Sequence, residues 1–167
     1  MSKQSAGILP YRLKNNYLEL LIVHPGGPFW KNKDLGAWSV PKGEFADDEE
    51  PFDAAKREFK EEIGFEINGQ FIELDPVRQK GGKTILAWAC ESDFDPTKIK
   101  SNTFELEWPP KSGKIRKFPE VDSAQWFTVS VAKKKINKGQ AALIDDLINK
   151  LDLKQEQVDV PNDANKI

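Results

Sequence analysis

Apolar positions along this chain follow two spacings, one of strands and one of helices. From Ser5 to Leu13 and from Tyr17 to His24 they crowd into short runs on either side of Lys14–Asn16, the pattern of a strand, a tight connection and a second strand. In the second run Leu18, Leu20 and Ile22 share one face and Glu19, Leu21 and Val23 the other, so all but its start is expected to be covered on both sides. Glu66 to Gln79 and Lys83 to Asp93 read as further strands joined at Gly81-Gly82, with Leu86, Trp88 and Cys90 alternating with Ala87, Ala89 and Glu91. A strand is expected at Thr103–Trp108, then Pro109-Pro110 and a basic loop over Lys111–Lys117, then a short strand around Trp126-Phe127 within Val121–Val131.

Helical spacing occurs at Phe52, Ala55, Phe59 and Ile63, and again at Leu143, Ile144, Leu147 and Leu151. Pro51 suits the first position of the earlier helix, Asp47 to Glu50 place negative charge at its positive end, and Gly64 supplies the left-handed residue that stops it. Strands interleaved with two helices predict an α/β fold. Residues 1–153 read as one domain, and 154–167 as a polar, flexible tail. Between the second strand and the first helix, Pro25-Gly26-Gly27-Pro28 opens a loop carrying Phe29, Trp30, Lys31 and Lys33, and Trp38–Lys42 reads as a short strand leading to Gly43.

Composition narrows the chemistry. A net charge of −2, from 25 basic and 27 acidic residues, gives no global field for nucleic acid or an anionic membrane, so a polyphosphate must be held locally. A single cysteine, Cys90, excludes an internal disulfide and a cysteine-cluster zinc site, and reads as a small buried strand residue. His24 is the sole histidine, which removes His-based metal ligation. The first residues lack an apolar leader pattern and no stretch has the length of a membrane span, so a cytoplasmic protein is expected.

Beside the apolar stripe of the first helix, Glu58, Glu61 and Glu62 stand at i, i+3 and i+4 and project within a turn of each other. Three like charges there oppose the helix by some tenths of a kcal/mol per pair. Mg²⁺ would remove the conflict, since it takes carboxylate oxygens and is completed by water and substrate phosphates. Arg57 is placed to orient a carboxylate by a forked ion pair. Taken alone, Lys56 to Glu62 reads better as a solvated face of mixed charge; the wider spacing decides against it.

That spacing resembles the Nudix box, G-x5-E-x7-R-E-U-x-E-E-x-G-U with U bulky and apolar, matched by Gly43, Glu49, Arg57, Glu58, Phe59, Glu61, Glu62, Gly64 and Phe65. The resemblance implies a mixed sheet sandwiched between helices. It also implies metal-dependent hydrolysis of a nucleoside diphosphate linked to another moiety, with Mg²⁺, or Mn²⁺ in its place. Carried over onto this chain, Glu58, Glu61, Glu62 and the backbone carbonyl of Lys42 are metal ligands, with Arg57 in the catalytic set. Phe118 to Trp126 is similar to a segment that in many relatives brings a further glutamate as base or ligand. Glu120 stands in the matching place, with Asp122, Glu105 and Glu107 as rivals. Glu49 is expected to orient the turn or touch the metal through water, without a part in the chemistry.

For substrate contacts the candidates are the Lys42 side chain, Lys31, Lys33, Arg78, Lys80 and Lys83 as phosphate clamps, each competing with ordinary surface charge. Phe29 and Trp30 are candidates to stack a base, while Trp38 and Trp88 are expected in the core. No tyrosine lies near Gly81–Lys83, no NADH or coenzyme A signature is visible, and the proline that ADP-ribose enzymes carry at a set distance past the box is missing. Trp-Ser-Val-Pro-Lys-Gly before the box looks instead like enzymes acting on dinucleoside polyphosphates, nucleoside triphosphates or diphosphoinositol polyphosphates. The expected partner is therefore a nucleotide or polyphosphate, nucleoside triphosphate or dinucleoside polyphosphate first. RNA 5′-pyrophosphate removal and non-catalytic nucleotide sensing are the alternatives.

Overall fold

A computed structural model describes residues 3–161. Its first two strands, β1 (Gln4–Lys14) and β2 (Tyr17–Pro25), pair antiparallel from Lys14↔Tyr17 to Tyr11↔Leu20. Asn15 and Asn16 both have positive φ, 53° and 68°, the geometry that lets a two-residue connection match the twist of the strands. β3 (Lys42–Glu44) pairs with β1 and delivers the chain to the first helix, α1 (Pro51–Ile63). The expected Trp38–Lys42 strand is thus displaced towards Glu44, and Trp38 and Ser39 make only isolated bridges to Ile136 and Val23.

The expected long strand over Glu66–Gln79 is corrected to two short ones, β4 (Phe71–Glu73) and β5 (Val77–Arg78), separated by Pro76, whose ring removes the donor a continuous ladder would need. Both pair antiparallel with β6 (Thr84–Glu91), and Gly81-Gly82 make the hairpin turn. β6 then runs parallel to β1, from Gln4↔Thr84 to Tyr11↔Glu91.

A separate hairpin follows, β7 (Thr103–Glu107) with β8 (Ile115–Pro119). The basic loop expected over Lys111–Lys117 is therefore only partly a loop, because Ile115 to Lys117 pair with Glu105 to Glu107. β9 (Val121–Thr128) pairs antiparallel with β2, completing the order β4-β6-β1-β2-β9. Then come α2 (Val129–Lys135), which the spacing did not predict, α3 (Ala141–Leu151), and the short α4 (Gln155–Val158). The tail expected to be flexible needs correction at α4, where Val158 is buried; residues 162–167 lie outside the described ones.

Alternation along the strands builds two cores. Leu9 and Tyr11 of β1 with Leu18, Leu20 and Ile22 of β2 face Ala132 of α2, Leu143, Ile144 and Leu147 of α3, and Val158. On the other face Ala6, Ile8, Leu21 and Val23 meet Ala54, Ala55, Phe59 and Ile63 of α1. The sheet is thus sandwiched between helices, and α1 is clamped onto it by the stripe read from its sequence. Phe52 sits at the rim, its ring 4.9 Å from Phe71 and 5.2 Å from Trp88. Of the two tryptophans expected in the core, Trp38 is buried and Trp88 is half-buried against the α1 side.

Candidate active site

With the apolar stripe of α1 against the sheet, the acidic side of the helix turns towards β3. Glu58 is buried against Gly43, where an added Cβ would lie 2.0 Å from its Oε2. Only a residue without a side chain permits that approach. Arg57 gathers the box acids. Its Nε and Nη2 donate to Glu49 at 2.8 and 2.9 Å as a fork, while Nη1 donates to Glu58 at 2.9 Å and to both oxygens of Glu61 at 3.1 and 3.2 Å. The fork holds the Glu49 carboxyl below its ordinary pKa, and the same contacts raise the guanidinium.

Glu62 lies on the neighbouring face of the helix, towards the pocket. Burial pushes its pKa up to about 8, against the Lys42 cation and backbone N–H, which favour the charged form, and with Glu58 and Glu120 adding repulsion. Burial also raises Glu58, helped by Glu61, and Glu120, again helped by Glu61. Glu58, Glu61, Glu62 and Glu120 therefore repel one another across a small volume. Desolvation and the neighbouring Lys83 depress the Lys42 amine.

Glu120 is drawn here by backbone, not by its own side chain. The Asn102 N–H donates to the Glu61 carbonyl at 2.8 Å, the Glu120 N–H to the Asn102 carbonyl at 2.8 Å, and the Gly26 N–H to the Glu120 carbonyl at 3.0 Å. None of its rivals lines the pocket that Glu120 shares with Lys42 and Glu62. Glu105 and Glu107 lie exposed on β7, where Glu107 accepts the Lys111 N–H at 2.7 Å, and Asp122 is bonded to His24 Nδ1 at 2.8 Å.

Lys42, Glu62 and Glu120 line a pocket of about 210 Å³ walled by Trp30, Trp38, Gln79, Asn137 and Gln140. The sequence reading missed most of this wall. Buried Gln140 accepts the Val40 N–H at 2.9 Å and donates to Ser39 Oγ at 3.1 Å, fixing the approach to β3. Asp34 accepts the Trp38 indole N–H at 2.8 Å and both its oxygens accept from Lys135 Nζ, at 2.9 and 2.8 Å. His24, whose Nε2 meets the Lys33 carbonyl at 2.6 Å, ties the aromatic loop to the start of β9. None of these carries a local signal; each is defined by a partner distant along the chain.

Other candidates fall outside the pocket. Phe29, 60% exposed, packs edge-on against Trp108 at 5.4 Å. Lys31 is exposed, Lys33 sits over the Trp30 ring at 5.1 Å, and Arg78 folds over Gly82 of its own hairpin. Among the described residues no three acidic, His or Cys side chains form a ready metal cage. Arg57 occupies Glu58 and Glu61, and Glu62 turns to Lys42. The donors nevertheless suit a hard cation, being all oxygen, mutually repelling and set beside the bare backbone at Gly43.

The NUDIX domain profile matches residues 1–147. This chain belongs to the NUDIX family. It is accordingly a Nudix hydrolase, acting on pyrophosphate bonds with a divalent metal ion. A search of curated protein sequences finds no match. Solved structures similar in fold include the NUDIX domain of Shewanella oneidensis NrtR complexed with ADP ribose, at TM-score 0.63 and 16% identity over 90% of this chain and 89% of that one. A C. elegans Ap4A hydrolase in binary complex gives TM-score 0.61 and 17% identity over 89% and 98%. The C-terminal domain of mouse MUTYH in complex with human PCNA gives 0.59 and 15% over 93% and 94%. At such identity the likeness is one of fold. No helix among the described residues is long and apolar enough to cross a membrane.

Proposed function

We propose that this Nudix hydrolase is a Mg²⁺-dependent pyrophosphohydrolase of nucleoside triphosphates or dinucleoside polyphosphates, working in the cytoplasm. The observation that carries this reading is the meeting of Glu62 and Glu120 with the half-buried Lys42 in a pocket walled by Trp30 and Trp38, with Glu58 and Glu61 beside them close enough to repel. Glu58, Glu61 and Glu62, with Glu120 and the Lys42 carbonyl, would hold the metal, which supplies charge neutralisation of the diphosphate and an acidified water. The protein's own groups do the rest. Lys42 offers a desolvated cation to a phosphate oxygen, Glu120 takes the proton of the attacking water, and Arg57 keeps Glu49, Glu58 and Glu61 in one fixed array. Trp30, on the rim of the pocket, is the surface for a base. The neighbours bound to ADP ribose or named for Ap4A are consistent with a nucleotide diphosphate ligand.

Phosphate release from the purified protein, with Mg²⁺, across nucleoside triphosphates, dinucleoside polyphosphates, nucleotide sugars and diphosphoinositol polyphosphates tests the proposal. Turnover should require metal and fall in Glu62→Gln to below about a hundredth, given the several kcal/mol a bound metal supplies to the transition state. Near wild-type turnover by Glu62→Gln at saturating Mg²⁺ would sink the assignment. Nucleotide binding with no turnover on any substrate would point to a sensor.

A further inference from the structure

Next to the catalytic pocket lies a second, larger and more open concavity of about 860 Å³. Its wall combines Lys3 just before β1, Gln79 to Gly81 and Lys83 on the β5–β6 hairpin, and Asn137 to Gly139 before α3. Among the described residues four lysines line it, Lys3, Lys80, Lys83 and Lys138, and no acid does. Glu44 is the acid at its edge, accepting Lys83 at 3.1 Å and held below its ordinary pKa first by that lysine. The basin therefore carries a clear excess of positive charge in a chain whose net charge is −2.

Two residues belong to both cavities. Gln79 and Asn137 line the basin and the catalytic pocket alike, and their side chains are bonded to each other, Gln79 Nε2 to Asn137 Oδ1 at 3.1 Å. This amide pair stands between the two cavities, Lys42 lining one and Lys83 the other. The two lysines feel each other's charge, Lys83 depressing the Lys42 amine. The inner pocket, at about 210 Å³, is smaller than the 300–1,000 Å³ usual for a whole drug-sized ligand. It has room for the diphosphate under attack and little more, so the remainder of any substrate lies outside it.

We infer that the lysine basin is a second anion subsite, which takes a further cluster of phosphates on the far side of the diphosphate that is cleaved. The inference rests on the hydrolase reading above and sharpens its substrate class. The preferred substrate is a diphosphate whose other half is itself phosphate-rich, and a nucleotide sugar, with only the scissile pair, leaves the basin unused. A linear polyphosphate chain and a phosphorylated ring share this chemistry. Lysine ammonium groups act as point charges and accept either geometry.

The test uses Lys80→Glu/Lys138→Glu, exposed positions at which folding is checked by thermal melting. Calorimetric titration with inorganic tripolyphosphate, free of divalent metal, reads the basin without catalysis. Wild type should bind it and the double variant should bind on the order of tenfold more weakly, with affinity falling as salt is raised. With metal present, kcat/KM for diadenosine tetraphosphate and for a diphosphoinositol polyphosphate is then compared with that for ADP-ribose. At least one phosphate-rich substrate should lose about tenfold more than ADP-ribose, and which one loses more names the source of the phosphates. Unchanged tripolyphosphate affinity, or an equal loss on all substrates, overturns the inference. Weakened binding without turnover of any substrate leaves the basin standing and removes the reaction assigned above.

Discussion

At Gly43 an added Cβ would meet one oxygen of Glu58 at 2.0 Å and the other at 2.5 Å, so the carboxylate position depends on that bare backbone. Gly43→Ala must push the acid aside, while α1 keeps its apolar stripe on the sheet. The expected outcome is a loss in kcat of about a hundredfold, since misplacement by an ångström is enough for that. Melting should change by only a few degrees. A variant that retains wild-type kcat would show that Glu58 need not stay where it lies. Glu62 makes a prediction about pH. Its folded pKa, about 8, stands above the ordinary 4.5, so between those values the native state holds a proton the unfolded chain has released. Metal-free stability should therefore be full below pH 4.5 as far as Glu62 is concerned, and decline as pH rises towards 8. A divalent ion binds the charged form, so Mg²⁺ should restore melting temperature most at the upper end of that window. Chelated and Mg²⁺-loaded melts from pH 5 to 8.5 check it, with Glu62→Gln, which keeps a neutral side chain, removing the Glu62 share of the slope.

Among the elements, α1 was the most legible, because its determinants are local: Pro51 at its start, the stripe Ala55, Phe59, Ile63, and Gly64 at φ 96° with its N–H on the Lys60 carbonyl. α2 and α4 were not, for opposite reasons. The Val-Ser-Val-Ala of α2 resembles the end of a strand, and only the helix's fit over Leu20 and Ile22 overrides that preference. α4 has a single turn, too short for any period to show, and is held by Val158 and by Gln157 donating to Asn16 at 3.0 Å. Val158 joins the core of β2 and α3, so Val158→Ala should cost roughly 1–2 kcal/mol by removing two buried methyl groups. Urea unfolding with an unchanged m-value measures it; a shift of a few tenths would mean that this turn adds nothing to the core.

Across the whole molecule, what sequence could show ended where partners lie far apart in the chain. The box acids and Arg57 stand close along the chain, so their grouping on one helix was legible from spacing, whereas Glu120 entered only through the resemblance of Phe118–Trp126, with Asp122, Glu105 and Glu107 as rivals. Asp34 with Lys135, Val40 with Gln140, and Gln79 with Asn137 meet only when α2 and the turn before α3 close over the sheet. The β7–β8 hairpin is the extreme case. It stands apart from the main sheet, and no buried residue lies within either strand. Within it Phe104 of β7 packs tilted on Phe118 of β8 at 6.0 Å, and its anchors are Phe29 edge-on to Trp108 and the backbone bonds of Asn102 at its base. A two-stranded ribbon without a core is marginal by itself. It should therefore open without unfolding β1, β2 and β6, whose alternating side chains fill both cores. Native-state hydrogen exchange should find the amides of Glu105 and Lys117 exchanging about a hundredfold or more faster than those of Leu20 and Ile22, the gap between a local opening and a global one. Because the chain leaves this ribbon straight into Glu120, opening there loosens the one site acid that lies outside the box. Exchange in the ribbon as slow as in β2 would instead make it part of the cooperative unit, and Glu120 as firmly placed as the acids of α1.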